Sequence, residues 1–194
     1  FIHGSHFGGE APPGHLALRM DAGLAFGAGS HGSTRGCLLA LDRLAKRITP
    51  ARPLDLGCGS GILAIAMART WGIAVMAADM DTDAVTTARE NAARNGVGDL
   101  VRVMECEGFA APEVAGGAPF DLVCANILLG PLVALAPTLA RHLAPDGRAV
   151  LSGVLVEQEA ELLMAYRTAA LLPMERLVVE GWLTVVLRRV EAAA

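Results

Sequence analysis

The chain has 194 residues, the usual size of a single domain, and its formal net charge at neutral pH is −4. Hydrophobic residues make up 53% and charged residues 19%, which excludes a disordered, collagen-like or highly charged tail protein. Proteins that grip nucleic-acid backbone are usually basic, and aromatic residues, which stack on bases, are only 4% here. The composition therefore favours a globular domain without direct nucleic-acid recognition.

Cysteine usage predicts a reducing, cytoplasmic location. The four cysteines are widely spaced, with no Cys-x-x-Cys pair, so they predict neither a zinc site nor a disulfide framework. No charged-then-apolar signal segment follows Phe1. The uncharged window 122–140 contains Asn126, Gly130 and two prolines, so we interpret it as a buried strand followed by a helix and expect no membrane span.

The chain opens with a glycine-rich segment and then alternates strands with helices. Residues 1–33 are predicted as loops with one short strand near 16–20, and the leucine spacing predicts a helix over 34–46. Five predicted core strands follow, at 53–56, 73–78, 100–104, 120–124 and 148–151. The predicted helices between and after them are 62–71, 83–95, about 132–143 and 157–171, with a loop at 108–119 and a turn at 145–147.

Two further apolar runs, 174–179 and 182–187, are separated only by Glu180-Gly181. Such a short link forces an antiparallel hairpin, because parallel neighbours need a crossover of a dozen or more residues. The pattern predicts an α/β fold with a doubly wound, mostly parallel seven-stranded sheet and an antiparallel C-terminal hairpin. Plain dinucleotide-binding folds usually lack that ending.

The strongest functional signal is a glycine-rich turn, Asp55-Leu56-Gly57-Cys58-Gly59-Ser60-Gly61, between the first core strand and a helix. Glycines there let backbone approach a ligand, and the helix N-terminus favours negative groups. The spacing Gly59, Gly61, Ala64 also fits the dinucleotide fingerprint, and Asp79 follows where a carboxylate could bind ribose hydroxyls. The turn predicts a nucleotide-like cofactor without identifying it, and a tight turn with no ligand is the alternative.

Asn126 ends the fourth core strand, at the edge of the sheet where ligands of this fold class react. Its amide offers both a donor and an acceptor, and a turn residue that merely closes the strand is the alternative. Adenine-modifying methyltransferases typically continue with two prolines and an aromatic residue here. Their absence argues against a pocket for a nucleic-acid base.

The glycine-rich segment 23–34 carries Phe26, His31 and Thr34 just before a predicted helix. It predicts a flexible loop or lid, although Ser33 or Thr34 could simply cap the helix. Four of the five histidines lie within the loop-rich residues 1–33. No accompanying cysteine or carboxylate spacing supports metal ligation, so no metal site is predicted.

In combination, the glycine turn, Asp79 and the terminal hairpin resemble class I S-adenosylmethionine-dependent methyltransferases. The segment 23–34, together with Ala125-Asn126-Ile127-Leu128 and Leu151-Ser152-Gly153, narrows the resemblance to the PrmA family, which methylates amino groups of ribosomal protein L11 of the large subunit. The resemblance implies S-adenosyl-L-methionine as cofactor. It implies transfer of methyl groups to lysine ε-amino groups, to the N-terminal α-amino group, or to both.

The resemblance also implies a role for individual residues. Asn126 is expected to face the incoming amine and to act in catalysis. Residues 1–33 are expected to form a linker and a cofactor-covering loop, and 34–194 the S-adenosylmethionine-binding domain. The implied cofactor-binding residues are Phe26, Gly27, His31, Thr34, Asp55, Gly57, Gly59, Gly61, Asp79 and Asn126.

Two departures from the family pattern leave alternatives open. The family loop usually reads Phe-Gly-Thr-Gly, whereas Ala28 stands in place of the threonine and loses its hydroxyl contact. Family members usually carry an N-terminal domain that recognises the ribosomal protein, and we expect this chain to be the catalytic domain only. The alternatives are a methyltransferase-fold fragment that binds cofactor without turnover, and a NAD-dependent oxidoreductase.

Overall fold

Strands and helices alternate along the chain, as the hydrophobic pattern predicts. The computed structural model describes residues 1–20 and 29–190. The strands are β1 (Ile2–His3), β2 (Leu18–Arg19), β3 (Pro53–Leu56), β4 (Val75–Asp79), β5 (Val101–Glu105), β6 (Phe120–Asn126), β7 (Leu143–Leu155), β8 (Leu171–Val179) and β9 (Trp182–Arg189). The helices are α1 (Gly32–Ala45), α2 (Ile62–Trp71), α3 (Thr82–Arg94), α4 (Pro112–Gly116), α5 (Leu129–His142) and α6 (Glu159–Thr168).

Seven strands form one sheet in the order β5-β4-β3-β6-β7-β9-β8. The strands from β3 to β7 pair in parallel, and β9 pairs antiparallel with both β7 and β8. The predicted doubly wound sheet with its C-terminal hairpin is therefore confirmed. The chain winds outward from β3 to β5 and then returns to the other side at β6, so the strand order reverses between β3 and β6. That reversal is where ligands bind in this fold class.

Helices cover both faces of the sheet, because strands at its centre are apolar on both sides. One hydrophobic core packs α1, α2 and α3 against the sheet. The other packs α4, α5 and α6 against the opposite face. The fully buried Tyr166 hydroxyl donates to the Leu132 carbonyl at 3.0 Å, which joins α6 to α5.

Some element boundaries differ from the predictions for identifiable reasons. Helix α2 has the predicted bounds, whereas α4 lies inside the segment predicted as a loop. The predicted turn at 145–147 is an irregularity within the longer β7, because pairing with β6 resumes on its far side. Helix α6 ends at Thr168, before the predicted 171, because Leu171 pairs with Arg189 in the hairpin.

The first twenty residues pack onto the same domain. β1 and β2 form a small parallel pair, and Leu18 and Met20 are buried in the core that contains α2. The Asn95 side chain accepts a hydrogen bond from the Arg19 amide and donates one to its carbonyl, both at 2.8 Å. The division between 1–33 and 34–194 stays a prediction, and α1 begins just before it, at Gly32.

The apolar window 122–140 is occupied by most of β6 and of α5, as interpreted from its sequence. Within residues 1–20 and 29–190, each helix is too short or too polar to traverse a lipid bilayer.

We expect Gly153→Ala to destabilise the fold, because Gly153 has a φ of +88° where β7 approaches the end of β6. An added Cβ would lie 2.3 Å from the Ile127 carbonyl oxygen, a backbone atom that no rotamer change can move. The free energy of unfolding, measured by urea denaturation, should fall by about 2–4 kcal/mol.

Gly130→Ala is the matched control, because no described atom outside its own helical turn lies within 4 Å of the Cβ it would add. Gly130 lies within α5, where alanine is favoured over glycine, so its stability should be unchanged or slightly higher. Equal stability of the Gly153→Ala variant and the wild type would contradict the strain assigned to this position.

Candidate functional site

A cleft of about 1070 Å³ opens at the carboxyl ends of β3, β4 and β6. These ends flank the point where the strand order of the sheet reverses. The glycine turn, the end of β4 and the segment after β5 form one side, and the starts of α1 and α5 form the other. The cleft therefore lies where the sequence predicts a ligand site.

The glycine turn between β3 and α2 is tightly folded. Gly57, Gly59 and Gly61 all have positive φ angles, between 51° and 79°, which glycine adopts at little cost. A Cβ on Gly57 would lie 2.4 Å from Cγ2 of Ile127, and one on Gly61 would lie 2.9 Å from the Ala88 Cβ. The turn thus brings the backbone of Gly57 and Gly59 to the floor of the cleft, whereas Gly61, also predicted to bind the cofactor, does not line the cleft and packs against α3.

Asp79 ends β4 and holds the glycine turn in place. Its Oδ2 accepts the Gly59 amide at 2.8 Å, and its Oδ1 accepts the Asp81 amide at 3.1 Å. Each carboxylate oxygen can accept a further hydrogen bond, so both can still receive hydroxyl donors from the cleft. Asp81 caps α3 by accepting the Asp83 amide at 2.9 Å.

Asp55 lies beneath the turn and is 1% exposed. Its Oδ2 accepts the Ala64 amide at 3.0 Å, whereas its buried Oδ1 has no hydrogen-bond partner among the described residues. Burial raises the pKa of this carboxyl to about 7, the Ala64 hydrogen bond opposes the rise, and the nearby Asp79 charge adds to it. An empty cleft therefore holds Asp55 as a mixture of acid and carboxylate at neutral pH.

Asn126 and Thr34 meet on the opposite side of the cleft, although 92 residues separate them in sequence. The Asn126 Nδ2 donates to the Thr34 Oγ1 at 3.3 Å. Thr34 is buried in the first turn of α1, and Asn126 ends β6. The Asn126 Oδ1 is buried and has no hydrogen-bond partner within residues 1–20 and 29–190. This oxygen is available to accept a hydrogen bond from a bound molecule.

His31 caps α1, a role that the sequence left to Ser33 or Thr34. Its Nδ1 accepts the Ser33 amide at 3.4 Å and lies 2.8 Å from the Ser33 hydroxyl oxygen. The His31 ring also packs on the Trp182 ring, with centroids 4.3 Å apart, and both rings line the cleft. The other residues expected in the covering loop, Phe26 and Gly27, lie outside the described residues.

Part of the cleft wall was missed from the sequence. Residues 106–110 line it after β5, and the Phe109 ring stacks on the His142 ring with centroids 4.3 Å apart. Leu135, Thr138 and His142 line it from a single face of α5. Their spacing along a helix was a usable signal, whereas the loop 106–110 and the lone Trp182 carry no motif. The tertiary fold alone brings them to the cleft.

The electrostatics of the cleft favour a cation. Three carboxyl groups line it, those of Asp55, Asp79 and Glu107, and the described lining contains no lysine or arginine. No group of three or more histidine, cysteine or acidic residues in the described part of the chain could hold a metal ion. The cleft is therefore suited to a positively charged organic molecule or side chain.

Sequence comparison relates the chain to enzymes that modify a ribosomal protein. It matches the family model described as ribosomal protein L11 methyltransferase (PrmA) over residues 1–190. It is 49% identical to the ribosomal protein L11 methyltransferase of Bradyrhizobium diazoefficiens, covering 97% of this chain and 64% of the relative. The enzyme of the same name from Brucella suis (strain ATCC 23445 / NCTC 10510) is 46% identical, with 97% and 66% covered. The chain thus spans about two thirds of the length of these relatives.

Solved structures share the architecture. The crystal structure of ribosomal protein L11 methylase from Lactobacillus delbrueckii subsp. bulgaricus matches with a TM-score of 0.87 and 29% identity, covering 98% of this chain and 94% of that one. An RNA methyltransferase from Salinibacter ruber, solved with S-adenosyl-L-homocysteine, matches with a TM-score of 0.64 and 24% identity, covering 81% and 92%. At that identity the second likeness concerns the fold alone.

We expect Asp55→Asn to stabilise the folded chain at neutral and alkaline pH. Because the folded pKa of Asp55 is raised to about 7, the unfolded chain releases this proton between about pH 4 and 7 while the folded chain keeps it. Stability is therefore lost progressively as the pH rises through that window. The rise in the pKa of Asp55 corresponds to roughly 4 kcal/mol. Because the site can relax, we expect the free energy of unfolding of the variant at pH 8 to exceed that of the wild type by roughly 2–4 kcal/mol.

The measurement is urea denaturation of both proteins at pH 8 and at pH 4. At pH 4 the difference should shrink to a small remainder, because Asp55 is then protonated in the folded chain and roughly half protonated in the unfolded one. A destabilised variant at pH 8, or a gain that does not depend on pH, would contradict a raised pKa at Asp55.

Proposed function

Because the chain belongs to the ribosomal protein L11 methyltransferase (PrmA) family, we propose that it transfers methyl groups from S-adenosyl-L-methionine to amino groups of ribosomal protein L11. The proposal rests above all on the Asn126 Oδ1, which is buried and has no hydrogen-bond partner among the described residues. Asn126 lies at the edge of the sheet where ligands of this fold class react. Apart from histidines, the described charged side chains of the cleft are all carboxylates. A ribosomal substrate would place the reaction in the cytoplasm.

The residues of the cleft suit S-adenosylmethionine. Asp79 has acceptor capacity for both ribose hydroxyls, and Gly57 and Gly59 line the cleft without side chains, which leaves room for the ligand against their backbone. Asn126 and Thr34 lie on the far side, where the reactive end would reach. When bound, the cofactor supplies a methyl group on a positively charged sulfonium, and its leaving group is a neutral thioether. The protein therefore has no need of a strong general acid.

The other reactant must be a neutral amine. A free α-amine has a pKa near ~8 and a lysine near ~10.4, so deprotonating lysine at neutral pH costs roughly 3 kcal/mol more. The carboxylates of the cleft attract the ammonium form, and desolvation next to a cationic cofactor then lowers its pKa. The Asn126 Oδ1 can accept a remaining N–H and so orient the lone pair towards the methyl group.

The competing functions are less well supported. A NAD-dependent oxidoreductase would fit the glycine spacing, but the antiparallel hairpin and the family membership favour a methyltransferase. Direct nucleic-acid recognition is not expected either, because the described cleft lining offers phosphates three carboxyl groups and no lysine or arginine. A fragment that binds cofactor without turnover differs from an enzyme only in activity.

We expect S-adenosylmethionine, and not NADH, to bind the chain with a Kd of roughly 1 μM, or about −8 kcal/mol, in a calorimetric titration. Asp79→Asn should weaken this binding about 10- to 100-fold, because it removes one acceptor for the ribose and the charge that holds the Gly59 amide. Asp83→Asn, on the exposed first turn of α3, is the matched control and should bind normally. Tight binding of NADH would contradict the cofactor assignment.

We expect purified ribosomal protein L11 to gain multiples of 14 mass units in the presence of chain and cofactor, as measured by mass spectrometry, since ~14 Da is the mass of one added CH₂. Asn126→Ala should lower kcat about 100-fold or more while changing cofactor affinity much less, because the amine loses its orienting acceptor. Thr34→Ser, which keeps the hydroxyl partner of Asn126, should retain activity. Cofactor binding without any methyl transfer would favour the fragment without turnover.

A further inference from the structure

Asp55 is a buried carboxyl group without a counter-ion. It lines the cleft, is 1% exposed and receives one backbone hydrogen bond, from Ala64 at 3.0 Å. Its second oxygen has no partner within residues 1–20 and 29–190. A carboxylate removed from water in this way is strongly destabilised unless a cation or a proton neutralises it.

Among the described residues, the groups found around Asp55 supply no positive charge. Asp79 on β4 is the acidic neighbour that acts on Asp55, and Asp55 in turn acts on the thiols of Cys37 on α1, Cys58 in the glycine turn and Cys124 on β6. Burial raises the pKa of each of these thiols, so they remain neutral at neutral pH. The described wall of the cleft contains no lysine or arginine.

Either a proton or a cation can neutralise the Asp55 carboxylate, and the two exclude each other. Without a bound cation a proton neutralises it, so Asp55 is largely the neutral acid below its raised pKa of about 7. When a cation enters the cleft, the carboxylate form is favoured by direct attraction in a site of low polarity. S-adenosylmethionine brings two positive charges, its ammonium and its sulfonium, and one negative charge, its carboxylate, so its net charge of +1 equals that of the proton it would replace.

We propose that cofactor binding exchanges the proton on Asp55 for the positive charge of S-adenosylmethionine. The O–H bond of the carboxyl breaks, the proton leaves to solvent, and the carboxylate stays behind as the partner of the bound cation. Asp55 thus acts as the charge-balancing residue of the cofactor site. This inference rests on the proposed function, because it takes S-adenosylmethionine as the ligand.

Two consequences can be measured without any turnover. Binding should release about half a proton at pH 7, nearly one at pH 6 and little at pH 8, because the protonated fraction of a group with pKa near 7 falls in that order. The Kd for S-adenosylmethionine should accordingly be about tenfold weaker at pH 6 than at pH 8.

The experiment is calorimetric titration of the wild-type chain in buffers of different ionisation enthalpy, repeated at pH 6, 7 and 8. The slope of observed heat against buffer enthalpy gives the number of protons released. S-adenosylhomocysteine retains the ammonium and lacks the sulfonium, whereas 5′-methylthioadenosine has neither charge. Proton release on binding of both S-adenosylmethionine and S-adenosylhomocysteine would support the exchange and identify the ammonium as the charge that drives it. Proton release with S-adenosylmethionine alone would support the exchange and identify the sulfonium. Equal release with neutral 5′-methylthioadenosine would overturn it.

Asp55→Asn tests the assignment to this residue. The variant keeps an acceptor for the Ala64 amide but holds no exchangeable proton, so proton release and the pH dependence of Kd should both disappear. His31 and His142 also line the cleft, so His142→Gln is the control, and it should still release the proton. Proton release that persists in Asp55→Asn would overturn the proposal.

The wild-type titration separates the two proposals. Binding of S-adenosylmethionine with no proton release at pH 6 or 7 would overturn the exchange and leave the proposed function intact. A folded wild-type chain that binds neither S-adenosylmethionine nor S-adenosylhomocysteine would overturn both.

Discussion

The hydrogen bond from the Gly59 amide to the Asp79 carboxylate is the interaction on which the shape of the cleft depends. It ties the loop after β3 to the last residue of β4, so the turn cannot close over the ends of the strands. The Gly57 and Cys58 amides reinforce this by donating to the Ala78 carbonyl. Since Asp79 is itself at the edge of the cleft, the residue that shapes the floor also lines the cleft.

The other side of the cleft depends on how closely α1 approaches the sheet. A Cβ on Gly36 would lie 2.2 Å from the Thr184 Oγ1, so only glycine lets the helix pack this near to β9. Beneath it, the buried Thr184 hydroxyl donates to the Ser152 Oγ, which in turn donates to the Leu183 carbonyl. This packing holds the first turn of α1 beside the end of β6, where Thr34 reaches Asn126.

The sequence was sufficient for features that are local or periodic. The strand-to-helix pattern and the Glu180-Gly181 link predicted the sheet and its hairpin, and the glycine spacing located the floor of the cleft. The side-chain hydrogen bond between Asn126 and Thr34 could not be derived from sequence spacing, because it joins elements far apart in the chain. Trp182 and Phe109 were missed for the same reason, since neither lies in a motif. The length of β7 was missed because turn residues can also form a bulge within a strand.

An acidic cleft presents a conflict for the proposed methylation of an amine, and the proposed neutralisation of Asp55 would reduce it. Carboxylates attract an ammonium group but also stabilise its protonated, unreactive form. Under the proposed exchange, Asp55 is neutralised by a proton before binding and by the positive charge of the cofactor afterwards, so in neither state would it hold the proton on the amine. Exposed Glu107 could still attract the substrate from solvent. The same cleft can therefore collect a cation and then favour its deprotonation.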